Sequence, residues 1–142
     1  MQYFEDISVG QEWAPGTVTV TEADIREFAA EFDPQPFHVD QTAAERNFGG
    51  LIASGWHTAS LCMRPFAESV LDEIAIVAAV GVENLQWLEP VRPGDTLSVD
   101  VRVVKKAPWN EQHGLVTFRV TGTNQDDVLV HSREDRVVVE RE

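Results

Sequence analysis

The chain has 142 residues, 43% of them hydrophobic and 25% charged, and carries a formal net charge of −13. That length suits a single domain over residues 1–142 with a core of its own, and the apolar share is too high for a disordered chain. The negative charge is dispersed, so it reads as solvated surface, and it disfavours nonspecific binding to nucleic acid or to an anionic membrane.

Met1 to Gly10 hold Glu5 and Asp6 and no apolar run, unlike a signal peptide. Thr17, Val18, Thr19 and Val20 form a short β-prone segment. Thr21 then reads as a helix N-cap, with Asp24 in a variant capping box. Ile25, Phe28, Ala29 and Phe32 recur at helical spacing as one apolar face. That helix should stop near Asp33, because Pro34 disfavours helical geometry in the residue before it. Asp40 is placed to cap a second short helix through Ala43, Ala44 and Arg46, ending before Gly49-Gly50.

Ser54-Gly55 opens a longer helix. Its Trp56, Ala59, Ser60, Met63, Phe66, Ala67 and Val70 fall on one face, which is expected to be largely buried. Pro65 should kink this helix or end it near Arg64, since an interior proline costs about 3 kcal/mol. Cys62, the only cysteine, sits mid-helix and reads as core rather than nucleophile. A lone cysteine excludes an internal disulfide and suits a reducing, cytoplasmic setting.

The longest apolar stretch, Ile74 to Val82, falls well short of the ~20 residues that a membrane-spanning helix requires. From Leu85 onward the period is two. Leu85 and Trp87 alternate with polar residues; so do Leu97, Val99, Val101 and Val103, and then Val116, Phe118 and Val120. Pro90, Pro93 and Gly94-Asp95 make one turn, and Thr123 to Asp127 another before Val128, Val130 and Val137 to Val139. Helices followed by half-buried strands make an α+β domain with an antiparallel sheet. The helix from Gly55 is the apolar surface available to them, so the sheet is expected to bend around it.

The chemistry concentrates in Asp33-Pro34-Gln35-Pro36-Phe37-His38-Val39-Asp40. Two prolines stiffen a segment that carries an acid and an imidazole, which lowers the ordering cost of an active site. A straight segment would hold Asp33 and His38 about 15 Å apart at ~3.1 Å per residue, so the chain must bend near Phe37 if they are to share a substrate. A carboxylate and an imidazole suit addition of water across a conjugated double bond: one takes a proton from the attacking water, the other delivers a proton to the α-carbon. The charge that develops on a thioester oxygen needs N–H donors. The helix start at Ser54-Gly55 offers them, and glycine permits close approach.

Each residue also has a plainer reading. Asp33 could be turn chemistry and His38 an ordinary loop histidine. His57, His113 and His131 look structural or exposed, with no partner in sequence. A metal site from His38, Asp40 and Glu45 has a single imidazole and no second histidine at ligand spacing, so no metal is expected. Lys105-Lys106 is a candidate contact for a nucleotide phosphate, although adjacent lysines at a strand end are usually just solvated. Trp56, Met63, Phe66 and Trp87 either line a pocket or fill the core.

Together these residues resemble the MaoC-like family, which includes the (R)-specific enoyl-CoA hydratases. The family pattern of Asp, any residue, Asn, Pro, an apolar residue, His, any residue, Asp corresponds to Asp33 through Asp40. It continues in Ala43-Ala44, Phe48-Gly49 and Leu51-Ile52-Ala53-Ser54-Gly55, and Pro90 to Leu97 is similar to a turn and strand entry common in such proteins. Gln35 stands where the family has Asn. The resemblance implies a hot-dog fold, a homodimer with sheets joined edge to edge, and a pantetheine tunnel near the interface. It implies an acyl-CoA thioester substrate and no cofactor beyond the coenzyme A that the substrate carries. Asp33 and His38 would act on water and the α-carbon, and the Gly55 N–H, with Ser54 beside it, would polarise the thioester carbonyl. Hot-dog folds also host thioesterases. The helix offers only Glu68 for hydrolysis, late and after Pro65. A non-catalytic acyl-thioester-binding subunit would need neither the acid nor the imidazole.

Overall fold

The computed structural model describes residues 1–142. Strand β1 (Glu12–Thr19) precedes helices α1 (Glu22–Phe32), α2 (Pro36–Val39), α3 (Gln41–Phe48) and α4 (Gly55–Ser69). Strands β2 (Ile76–Trp87), β3 (Thr96–Pro108), β4 (His113–Thr123) and β5 (Leu129–Glu140) follow. All pairings are antiparallel, in the order β1-β3-β4-β5-β2. α4 packs on β1, β3 and β4, so the sheet curls around it. This is the α+β, hot-dog arrangement that the sequence implied. No helix is long and apolar enough to cross a membrane.

The local signals are physical. Thr21 caps α1 by accepting from the Asp24 N–H at 3.1 Å, and Asp33 ends it, as the following proline requires. Asp40 accepts from the N–H groups of Thr42 and Ala43 to start α3. Gly49, at φ 71°, ends that helix in the left-handed conformation that glycine adopts without strain. Leu97, Val99, Val101 and Val103 are all buried along β3, and Phe118 of β4 packs on Phe66 of α4 at 5.3 Å between ring centroids. Fully burying one such aromatic contributes about 1.5–3 kcal/mol.

Three expectations are corrected. The buried face of α4 is Thr58, Cys62, Pro65 and Phe66, whereas Trp56 and Ser60 are exposed and Ala59, Met63 and Ala67 only half-buried. The helical spacing was right but the stripe was rotated, because the sheet covers only the side that Cys62 and Phe66 face. Pro65 does not end the helix, which runs a further turn to Ser69. Its ring is buried, which helps to offset the missing N–H. Lys106 is no phosphate ligand. Its ammonium donates to the Phe4 and Ile7 carbonyls and lies 4.2 Å from the centre of the Phe4 ring, pinning the N-terminal segment.

Candidate active site

The bend that Asp33 and His38 require lies in α2. Pro36 occupies its first turn, and the turn compacts what would otherwise be an extended segment. It brings His38 Nε2 to 3.3 Å from Asp33 Oδ2. His38 is buried, and its Nδ1 donates to the Ile52 carbonyl at 2.7 Å. Ile52 is itself held, its N–H on the Phe37 carbonyl, while the neighbouring Ala53 N–H bonds to Val91. A carbonyl can only accept, so Nδ1 carries the proton and the lone pair of the neutral ring sits on Nε2, facing the carboxylate. Two acceptors therefore converge on one point. A water molecule there can donate one hydrogen to each.

Asp33 is held by more than its loop. Gln35 Nε2 donates to Oδ1 at 2.7 Å and Ser54 Oγ donates to Oδ2 at 2.8 Å. Burial raises the pKa of Asp33, but the hydrogen bonds from Gln35 and Ser54, with His38 alongside, outweigh it, leaving the carboxyl below its ordinary value. Asp33 is an anion at neutral pH, suited to accept a proton or to stabilise an imidazolium. Ser54 also accepts from the Trp56 N–H at 3.3 Å, capping α4. Its fully buried hydroxyl is thereby committed to Asp33 and to the helix. The Gly55 N–H, at the positive end of α4, donates no hydrogen bond within the protein.

These groups border a cavity of about 450 Å³. Phe32, Phe37, Trp56 and Trp87 supply its aromatic lining, and Leu88 to Val91 also border it. No lysine or arginine is among the lining residues. Of the four aromatic or thioether candidates, Trp56 and Trp87 face the cavity, whereas Phe66 is core and Met63 packs beside it.

The remaining residues singled out in the sequence lie elsewhere. His57 is buried and stacked on Phe28 at 4.8 Å, and His131, on β5, is fully buried. Cys62 is buried, which pushes its thiol up to about 11 and makes it a poor nucleophile. Glu68, the residue a thioesterase reading would use, is exposed and paired with Arg64 at 3.0 Å. Asp40 spends its carboxylate on the α3 cap, and no cluster of histidine, cysteine and acidic side chains has metal-binding proximity.

Sequence reasoning missed the roles of Gln35 and Ile52, and left Trp87 open between pocket and core. A methyl group built on Gly55 would overlap the Trp87 indole, so glycine is needed here to let the ring approach the helix start.

Comparisons with known proteins agree with this geometry. Residues 7–124 match the MaoC like domain family. YdeM, an uncharacterized protein of Bacillus subtilis, is 32% identical over 138 residues, which is 96% of this chain and 98% of that protein. The structure of the MaoC-like dehydratase from Rhodospirillum rubrum gives a TM-score of 0.91 at 39% identity, covering 100% of this chain and 99% of that one. The unliganded (R)-hydratase PhaJ1 from Pseudomonas aeruginosa gives 0.80 at 27% identity, covering 99% of this chain and 86% of that one.

Proposed function

Since the chain belongs to the MaoC-like family, we propose that it is a hydratase/dehydratase that adds water to a trans-2-enoyl thioester, or removes it from the (R)-3-hydroxyacyl product, with coenzyme A as the favoured carrier. The observation that carries this reading is the pair itself: Asp33 and His38, 3.3 Å apart, bordering a cavity beside the free N–H of Gly55.

The water oxygen attacks the β-carbon while one of its protons passes to the Asp33/His38 pair. The electron pair of the double bond moves through the α-carbon onto the thioester oxygen, where the Gly55 N–H and the α4 dipole stabilise it. As the carbonyl re-forms, the α-carbon takes a proton from the pair. One water has then been consumed, and its hydroxyl and proton are both bonded to the substrate. Because Asp33 is ionised and His38 presents a lone pair, the proton handed to the α-carbon is the one received from water. Both groups sit on one side of the cavity, so hydroxyl and proton reach the same face. Dehydration is the reverse.

We further infer a homodimer that joins sheets through β2. β1, at one edge, is blunted by Pro15 and the irregularity between Trp13 and Gly16. β2, at the other, has no proline and exposes Val77, Val80 and Val82, with Val82 55% accessible. A second copy would cover this edge and the half-exposed side of α4. The cavity has no cation, so the carrier's phosphates must be met outside it.

Incubation with crotonyl-CoA tests the function. Loss of enoyl absorbance without release of free thiol is expected. Thiol release would instead indicate a thioesterase, and inertness toward several chain lengths a binding subunit.

A further inference from the structure

We propose that Arg92 meets the phosphate end of the substrate's phosphopantetheine arm, so that this protein reads a phosphate as well as an acyl thioester; the inference rests on the hydration reading above. That arm is common to coenzyme A and to the prosthetic group of an acyl carrier protein. The lining of the cavity holds the carboxylates Asp33 and Glu89 and no lysine or arginine. A phosphate is therefore repelled from the cavity itself and has to be met beyond its rim.

Two stretches of chain that border the cavity lead to one point outside it. Ile52, Ala53 and Gly55 belong to the first and Leu88 to Val91 to the second, and the Ala53 N–H ties them by donating to the Val91 carbonyl at 2.8 Å. Arg92 follows Val91 directly, and its Nη1 lies 3.9 Å from where a side-chain carbon on Gly50 would stand. The guanidinium thus sits over the residues that lead into Ile52, whose carbonyl holds His38. From Gly55 back to Gly50 the chain covers at most about 17 Å at ~3.4 Å per residue. An extended arm, with roughly thirteen bonds between sulfur and phosphorus, spans about 16 Å at ~1.2 Å per bond. A thioester whose carbonyl lies at the Gly55 N–H therefore brings its phosphate within reach of Arg92.

Arg92 is also available. Its backbone N–H donates to Asp95 Oδ2 at 2.9 Å, and the buried Asp95 accepts in turn from Gln125, so the turn that presents it is braced. The guanidinium is exposed and makes no hydrogen bond or ion pair, a state that only Arg46 and Lys105 share among the lysines and arginines. Arg46 stands opposite the buried Ala44 on α3, and Lys105 borders a separate hollow beside Glu83 and Glu134. In a chain of net charge −13, Arg92 is the free cation beside the cavity, and its planar fork matches two phosphate oxygens at once.

The test compares crotonyl-pantetheine, crotonyl-phosphopantetheine, crotonyl-CoA and crotonyl-loaded acyl carrier protein as substrates of the wild type, R92A and R92K. In the wild type the phosphate should raise kcat/KM over crotonyl-pantetheine at least about tenfold, through KM, the worth of a hydrogen bond to a charged group. R92A should bring that ratio close to one, and R92K should keep part of it as a point charge without the fork. The wild-type ratio should shrink as salt is raised, which a merely structural arginine would not produce. A loss in R92A on crotonyl-CoA but not on the carrier protein makes coenzyme A the source of the phosphate, and the reverse makes it the carrier protein. A wild type indifferent to the phosphate, or a folded R92A that keeps the full ratio, overturns the role of Arg92. Those results leave hydration intact, whereas no loss of enoyl absorbance on any of the carriers removes both readings.

Discussion

Ser54→Ala probes how the acid is held. The buried hydroxyl gives a 2.8 Å hydrogen bond to Asp33 Oδ2 and accepts a 3.3 Å bond from the Trp56 N–H. Losing the cap costs about 1 kcal/mol of stability. A hydrogen bond to a charged acceptor is worth about 1.5–3 kcal/mol. Asp33 keeps Gln35 on its other oxygen, so it stays ionised at neutral pH, but Oδ2, the oxygen beside His38, is left free to swing. If the full worth of the bond is realised in the transition state, kcat falls about 10–150-fold. The carboxyl also rises toward its ordinary value, because burial pushes it up and one of the hydrogen bonds opposing burial has gone. The acid limb of the rate profile therefore moves to higher pH. Rates on crotonyl-CoA across pH, with melting curves alongside, give both numbers, and Ser54→Thr should recover part of each. A folded Ser54→Ala protein whose kcat stays within about twofold of wild type at every pH would refute the claim that this hydroxyl positions Asp33.

Asp33→Asn should lower turnover by about 10²–10⁴ with the melting transition nearly unmoved, since the group faces a cavity; unchanged turnover removes it from the mechanism. His131 is held neutral, its pKa pushed down from 6.5 to about 4 by burial and by the Arg133 charge. Between those values only the unfolded chain binds the proton, so stability should fall as pH drops through 6.5 toward 4, by about 3 kcal/mol in all. Urea unfolding at several pH values should show that slope in wild type and not in His131→Gln. Arg133→Ala leaves Asp135 buried and unpaired and should cost about 3–5 kcal/mol in the same assay, with Arg133→Met/Asp135→Leu recovering most of it. Val82→Lys places a charge on the open β2 edge and should shift the sedimentation coefficient from dimer to monomer.

What was legible in the sequence was local. The Thr21 and Asp40 caps, the stop at Asp33, the Gly49 terminus and the alternating core of β3 each follow from a few neighbouring residues, and each is present. The proximity of Asp33 and His38 was legible only as a requirement, because the bend depends on α2 forming a turn after Pro36. What failed needed distant chain. The exposed side of α4 could not be assigned without knowing where the sheet ends. Pro65 looked like a kink or a helix end because the sequence does not show the burial that offsets its missing N–H. Trp87 reached the site through the register of β2 against β5, and nothing beside it in sequence points there.

That division separates the chemistry from the rest of the cavity lining. Asp33, Gln35, His38, Ile52, Ser54 and Gly55 come from one short stretch, and its own hydrogen bonds set the proton pair, the tautomer and the oxyanion donor. Trp87 and Val130, which also line the cavity, come from β2 and β5, and these meet this stretch only through the tertiary fold. A change at Trp87 can therefore alter the lining of the cavity while the Asp33–His38 pair, held within its own stretch, stays as it is. The reverse does not hold. A side chain at Gly55 would displace the Trp87 ring, and with it both the oxyanion position and the lining, so this glycine is where the two are tied to one atom.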